Sequence, residues 1–255
     1  MAGAALPGRL TPPTTEEHAI DTGTPTAPRG GWRRATVREV RDPGGAVVLR
    51  LDVPDRVDHM PGQHYVVRLT ADDGYTAARS YSVVSAPSDP LVELYVERLE
   101  DGEVSTFLAD VVEPGDELEV RGPIGGWFAW DGETPVLAVG GGSGVAPLVS
   151  MLRHAHDLGR PELVCLVAAA RTLAQTPYAE EISGGCQVVA LSRETSPSGR
   201  AASRLSAADL APLVEGRRTA FVCGSAAFAE AASQLLVSVG MPAGSIRVER
   251  FGPSG

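Results

Sequence analysis

Between residues 46 and 120 the apolar positions fall in short runs. They are Ala46–Val53, Tyr65–Leu69, Arg79–Val84, Leu91–Val96 and Glu117–Val120, separated by Gly, Pro and Asp. β-Branched and aromatic residues at this spacing predict an antiparallel barrel or sandwich. One short helix is predicted over Ser105–Val111, with Ser105 as its N-cap. After Gly132 the rhythm changes. Apolar strands at Pro135–Val139, Glu162–Ala170, Gln187–Leu191, Thr219–Cys223 and Ile246–Phe251 alternate with helical stretches at Ala146–Leu158, Tyr178–Ile182, Ala207–Leu213 and Phe228–Val239. That alternation predicts a parallel, doubly wound α/β sheet. Residues 1–31 are rich in Pro, Thr, Ala and Gly and have no apolar period, so they read as a flexible tail. The expected fold is a two-domain β + α/β chain: tail 1–31, antiparallel β-barrel 32–132, doubly wound parallel α/β domain 133–255.

Charge narrows the function classes. The chain has 255 residues, with 22 Lys+Arg against 32 Asp+Glu, a net charge of −10. A nucleic-acid binder needs clustered cations, so that class is disfavoured. A chain of this length can bury a sizeable core without disulfides or metals. The three cysteines, Cys165, Cys186 and Cys223, lack the close pairing of a zinc or iron–sulfur site and cannot make a disulfide framework. The expected compartment is therefore reducing and intracellular. No apolar run reaches the roughly 18 residues of a membrane span. Met1 to Pro13 carries no signal-like apolar region, which leaves the cytoplasm as the expected location.

Several stretches point to anionic ligands. Gly140-Gly-Gly-Ser-Gly-Val-Ala-Pro147 follows a predicted strand and opens a helix. Glycine lets a backbone approach a phosphate, and a helix N-terminus favours its charge; the bland alternative is a structural strand-to-helix turn. Arg171, Ser192, Arg193 and Arg200 gather at the carboxyl ends of two consecutive strands, the edge where α/β sheets bind ligands. Arginine's planar fork suits a phosphate such as the 2′-phosphate of NADP(H); solvated loop arginines are the alternative. Phe221-Val-Cys223-Gly224 places small residues at the same edge, with room for a flat ring; Cys223 could equally be an ordinary core hydrophobe. In the first half, Arg79-Ser80-Tyr81-Ser82 puts an arginine and a tyrosine on one strand face, and Gly102-Glu-Val104-Ser105-Thr106 opens a helix with free N–H groups.

Taken together, these stretches resemble the ferredoxin–NADP reductase superfamily, in particular its short flavodoxin/ferredoxin reductase-like branch. Arg79-Ser-Tyr-Ser82 is similar to its R-x-Y-S flavin motif, Pro61-Gly-Gln63 to the segment before it, and Gly102–Thr106 to its G-x-x-S-T turn. Gly122-Pro-Ile-Gly125, the glycine run, Ala169-Ala-Arg171, Ser192-Arg193-Glu194-Thr195 and Val222-Cys-Gly224 follow in the family's order, so the resemblance covers about residues 33–252. It implies an FAD-binding barrel followed by a pyridine-nucleotide domain. Arg79 would hold the FAD phosphate, Tyr81 would pack on the isoalloxazine, and Ser82 would sit by flavin N5. Ser80, Val96, Gly102, Val104, Ser105 and Thr106 would complete the flavin site. Gly142, Ser143 and Gly144 would meet the nucleotide pyrophosphate, and Arg171, Ser192, Arg193 and Arg200 the adenosine phosphate. Cys223 and Gly224 would lie beside the nicotinamide. Val248-Glu249-Arg-Phe251 resembles the C-terminal strand whose aromatic covers the flavin, so the expected catalytic set is Tyr81, Ser82, Cys223, Glu249 and Phe251. Two departures from the pattern are Gly252–Gly255 after Phe251, and Ser225 in place of the commoner proline.

The resemblance implies a stand-alone, FAD-dependent reductase with NADPH favoured over NADH. Its acceptor would be a soluble carrier, ferredoxin or flavodoxin, or a monooxygenase component. No cysteine cluster suited to a fused iron–sulfur domain is present in the sequence. The rival readings are a free flavin or ferric reductase and a degenerate, flavin-holding interaction module.

Overall fold

The computed structural model describes residues 31–99, 102–217 and 219–252. The expected tail, apart from Gly31, lies outside the described residues.

The first six strands form one antiparallel sheet. They are β1 (Arg33–Arg41), β2 (Ala46–Asp52), β3 (His64–Thr70), β4 (Thr76–Ser82), β5 (Val92–Glu97) and β6 (Glu117–Ile124), in the order β4-β3-β6-β1-β2-β5. Just beyond β4, a bridge between Val83 and Leu94 on β5 joins the two ends of the sheet in a barrel-like closure. The interior is filled by alternate residues of the strands, among them Val37, Leu49, Leu51, Tyr65, Val67, Leu94 and Val120. Helix α1 (Glu103–Asp110) contributes Val104 and Leu108 to this core and touches both β4 and β5. The helix begins earlier than the sequence reading places it. Gly102 is the N-cap, and Ser105, expected there, is the third helical residue, its hydroxyl donating to the Gly102 carbonyl at 3.1 Å. A Cβ at position 102 would lie 2.1 Å from Ser105 Oγ, so a side chain there would displace that hydroxyl from its hydrogen bond.

The second sheet is parallel. Its strands are β7 (Val136–Gly141), β8 (Val164–Ala170), β9 (Val188–Leu191), β10 (Thr219–Ser225) and β11 (Ile246–Phe251), in the order β11-β10-β7-β8-β9. Helices α2 (Ala146–Asp157), α3 (Ala207–Leu210) and α4 (Ala226–Ser238) accompany it. Strand residues alternate between two cores. Val136, Ala138, Leu166, Phe221 and Cys223 pack with Leu148, Met151 and Leu152 of α2. Leu137, Val139, Val167 and Val222 pack with Ala229, Ala232 and Leu236 of α4 and Leu210 of α3. The sheet is thus doubly wound, as expected from the sequence. The helix expected at Tyr178–Ile182 shrinks to one tight turn, Ala179–Glu181, after a left-handed Tyr178. Among the described residues, no helix is long and apolar enough to cross a membrane.

One expectation is corrected outright. Cys165 and Cys186 form a disulfide with a Cα–Cα distance of 5.2 Å; Cys223 alone is free and buried. The reason is register. Val167 pairs with Val188 between β8 and β9, and the two cysteines stand two residues ahead of that pair. The Gln187 side chain fills the gap in the ladder: Leu166 N–H donates to its Oε1 at 2.7 Å, and its Nε2 donates to the Val164 carbonyl at 3.2 Å. The premise for a reducing compartment therefore falls. Two measurements check the bond. Unfolded without reductant, the chain should titrate one thiol, and with reductant three. Closing a loop of this size restricts the unfolded chain, so Cys186→Ser should lower unfolding free energy by about 3 kcal/mol or less.

Candidate functional site

The order of the parallel sheet reverses between β7 and β10, which opens a crevice at their carboxyl ends. Gly140 of β7, Cys223 of β10 and Glu249 of β11 lie side by side across this edge in strict register. The turn Gly142–Val145 leads from β7 into α2 with no side-chain cap, leaving its N–H groups for a ligand. The glycines here divide their work. A Cβ on Gly144 would lie 2.3 Å from the Cys223 carbonyl oxygen, so this glycine lets the loop press against β10. Gly142, at φ +57 with nothing near its Cβ position, faces open space beside half-buried Ser143. Together they expose main chain at the crevice without steric cover.

Cys223 is fully buried, and burial together with the Glu249 charge pushes its thiol well above the usual range. It is therefore a small core residue at the crevice floor rather than a nucleophile. Burial also raises the Glu249 carboxyl to about 7, and its buried Oε2 has no hydrogen-bond partner among the described residues. Phe251 stands level with Ser225, half-buried against the core on the α2 side.

The arginines at this edge fall into two kinds. Ser192 N–H donates to the Ala170 carbonyl and Arg193 N–H to the Arg171 carbonyl, both at 3.0 Å, extending the β8–β9 pairing by two residues. Arg171 and Arg193 are thus neighbours, both exposed, and neither is paired with an acid among the described residues. Arg200 differs. Its guanidinium grips Asp209 through Nε at 2.6 Å and Nη2 at 2.9 Å, and donates to the carbonyls of Ser203 and Arg204 at 3.1 and 3.0 Å. This pairing pushes the Asp209 carboxyl down to about 2, with Ser206 adding two further hydrogen bonds. Arg200, expected as a phosphate ligand, has its donors engaged within loop 192–209 instead. Asp209, which sequence reasoning missed, is the organising acid of that loop. Arg204, also missed, is exposed in it without an acid partner among the described residues.

The barrel side carries a second set of uncommitted groups. Arg79 and Tyr81 share one face of β4, whereas Ser80 is exposed on the other. Arg79 donates to the Ala78 carbonyl at 2.8 Å and has no acid partner among the described residues. Burial raises the Tyr81 phenol well above its usual range, only partly offset by Arg79, and its hydroxyl lacks any partner among the described residues. A buried hydroxyl left unpaired is costly, so it fits a ligand that would complete it. The first turn of α1 adjoins β4 and has no side-chain cap. An unpaired guanidinium, an orphaned phenol and free helical N–H groups suit a flat heterocycle bearing phosphates. Val96 and Val104, expected among the ligands, are core residues whose side chains face the barrel interior; only their backbone is left for a ligand. Ser105 is likewise buried, and its hydroxyl is already used.

Strand β4 leads straight from this set toward the crevice. Ser82 is buried at its end, and Val84, two residues on, belongs to the core that contains Cys223.

Two family models match the chain: an oxidoreductase FAD-binding domain over residues 44–128 and an oxidoreductase NAD-binding domain over residues 138–234. Among characterised relatives is the ferredoxin–NAD(P)(+) reductase component of naphthalene 1,2-dioxygenase/salicylate 5-hydroxylase systems from a Ralstonia species. It is 30% identical over 81% of this chain and 65% of its own length. The ferredoxin reductase component of 3-ketosteroid-9-alpha-monooxygenase from Rhodococcus rhodochrous is 31% identical over 85% of this chain and 63% of its own. The chain thus spans less than two thirds of either relative. Among solved structures, a cytochrome P450 reductase of Amycolatopsis superposes with a TM-score of 0.72 at 28% identity, covering 89% of this chain and 72% of that one. The FAD/NAD-binding domain of a Vibrio cholerae nitric oxide dioxygenase superposes with a TM-score of 0.76 at 24% identity, over 88% of this chain and 100% of that one, which speaks for the fold alone. With both domain models matched in order and both sheets in place, the chain belongs to the ferredoxin–NADP reductase-like superfamily.

Proposed function

We propose that the chain is an FAD-dependent oxidoreductase that takes hydride from NADPH and passes electrons to a separate soluble carrier. The observation that carries this reading is the pair of uncommitted sites. Unpaired Arg79 and orphaned Tyr81 sit on a strand that runs directly into the core beneath the Gly140–Cys223–Glu249 crevice. When bound, FAD supplies a two-electron acceptor that can release its electrons singly. Arg79 and the α1 N–H groups hold its phosphates, and Tyr81 lies along its ring system. Cys223 and Gly224 leave room for the nicotinamide, and the loop at Gly142 and Ser143 meets the nucleotide pyrophosphate. Arg171 and Arg193 hold the 2′-phosphate, with Ser192 adding a hydroxyl, while Arg200 keeps their loop in place. Glu249, with its carboxyl near neutrality, exchanges a proton at the crevice floor. The division between barrel and nucleotide domain falls near residue 132. The relatives named above are reductase components of oxygenase systems, which favours ferredoxin or an oxygenase component as the acceptor.

The flavin assignment is checked by purification. The protein should carry non-covalent FAD, and Arg79→Ala should lose most of it, since charge-assisted bonds to phosphate are among the stronger ones. FMN in the extract, or a fully loaded variant, would overturn the assignment.

The two kinds of arginine should separate in kinetics. Arg193→Ala should lower kcat/KM for NADPH by roughly ten- to a hundredfold, with NADH little changed, because one charge-assisted contact is worth about 1.5–3 kcal/mol. Arg200→Ala should instead reduce stability, by about 1–3 kcal/mol, by leaving Asp209 without its partner. A wild-type preference for NADH would contradict the phosphate assignment.

Glu249 makes stability pH-dependent. Its carboxyl is raised from 4.5 to about 7 in the folded chain, so the folded state holds a proton that the unfolded state has released. The resulting stabilisation is full below about pH 4.5 and is lost as pH rises through about 7. In the flavin-free protein, urea unfolding at pH 5 and pH 8 should show a decline that Glu249→Gln reduces by about 2–3 kcal/mol. Identical pH profiles would show that Glu249 titrates normally.

A further inference from the structure

The two sheets meet around one buried acid. Glu93 on β5 has a side chain only 5% exposed; two of its counter-charges, Arg41 and Arg50, belong to the barrel, and the third, Arg153, does not. Arg153, on α2, donates through Nη1 to Glu93 Oε1 at 3.0 Å and to the Val84 carbonyl at 3.2 Å. The other edge of the same guanidinium binds Glu181 through Nε at 2.9 Å and Nη2 at 2.7 Å. Arg41 and Arg50 of the barrel close on Glu93 Oε2 at 2.8 and 3.7 Å. One turn earlier on α2, the Ser150 hydroxyl donates to the Ser85 carbonyl at 2.8 Å. Ser85 Oγ accepts from Glu93 N–H at 3.0 Å, and Val84 N–H donates to the Glu93 carbonyl at 2.8 Å.

This arrangement ties three segments that carry the proposed chemistry. Tyr81 and Ser82 precede Val84 and Ser85 with only Val83 between. Helix α2 rises from the Gly142–Val145 turn. Glu181 lies in the stretch that continues from Arg171. Net adhesion does not account for the choice of residues, because a buried ion pair is often no more stabilising than a packed apolar pair. A planar fork with acceptors on three segments supplies fixed distances and angles instead.

We propose that Arg153 is a positioning residue for hydride transfer, setting the Tyr81–Ser82 end of the flavin strand against the nucleotide loop. The proposal rests on the reading that the barrel takes FAD and the crevice takes NADPH. Hydride transfer is steep in geometry: a displacement of about 1 Å can cost a hundredfold in rate. Arg153 lies outside both ligand sites, so its loss should act on rate and not on affinity.

The test is anaerobic stopped-flow reduction of the FAD-loaded protein by NADPH. Arg153→Met keeps much of the stem and removes the fork. It should retain FAD and bind NADPH within threefold of wild type. Its limiting rate of flavin reduction should fall by roughly ten- to a hundredfold, and the long-wavelength absorbance of the stacked nucleotide–flavin pair should weaken. Arg153→Lys should fall between the two, since an ammonium can serve Glu93 or Glu181 but does not reproduce the fork. Glu181→Gln, which cuts one arm at a half-exposed site, should slow the step in the same direction and carries the test if Arg153→Met does not fold. Limiting rates within twofold of wild type, or a defect confined to NADPH affinity, would overturn the proposal while leaving the reductase reading intact. A wild-type flavin that no nicotinamide nucleotide reduces would overturn both.

Discussion

A carboxylate removed from water must find positive charge or give up its own. Glu93 meets that constraint with Arg41 and Arg50 of the barrel and with Arg153 of α2, the helix that packs on the other sheet. Separating the barrel from the parallel sheet would break the Arg153 arm of this cluster, together with its hydrogen bond to the Val84 carbonyl. The wall they share is therefore continuous. Val84 and Tyr95 from the barrel pack in one core with Phe221 and Cys223 from the parallel sheet.

The same logic of satisfied and unsatisfied polar groups separates the residues proposed to bind ligands from those that support the fold. Arg200, Arg153 and Arg50 spend their donors on acids and carbonyls of the chain itself. Arg79, Arg171 and Arg193 have no acid partner among the described residues, and Tyr81 and Glu249 keep buried oxygens without hydrogen bonds. A folded protein leaves few such groups without a purpose. Those named here lie on one barrel strand and one sheet edge, the two sites proposed for the cofactors; other buried polar atoms without partners, such as those of His59 and Tyr65, lie elsewhere.

Much of the fold was legible because its strands bury alternate residues and its helices bury one stripe. β1 was missed for a physical reason. Arg33-Arg-Ala-Thr-Val-Arg-Glu-Val-Arg41 buries only Ala35 and Val37 fully, and an irregularity between Val37 and Glu39 breaks the alternation. The β4 motif and the glycine loop were legible because each is local. Long-range pairings were not. Asp209 is nine residues from Arg200, and Cys186 is 21 from Cys165; only the fold brings each pair together. Arg153 carried no signal at all, since its three acceptors lie 28 to 69 residues away.

The central claim is that one chain holds flavin and nicotinamide close enough to exchange a hydride. An anaerobic titration of the purified protein with NADPH, followed at the visible flavin absorbance, tests it most directly. The account predicts that about one equivalent of NADPH per bound FAD bleaches the flavin fully. A flavin that stays oxidised after several equivalents of either nucleotide would contradict it.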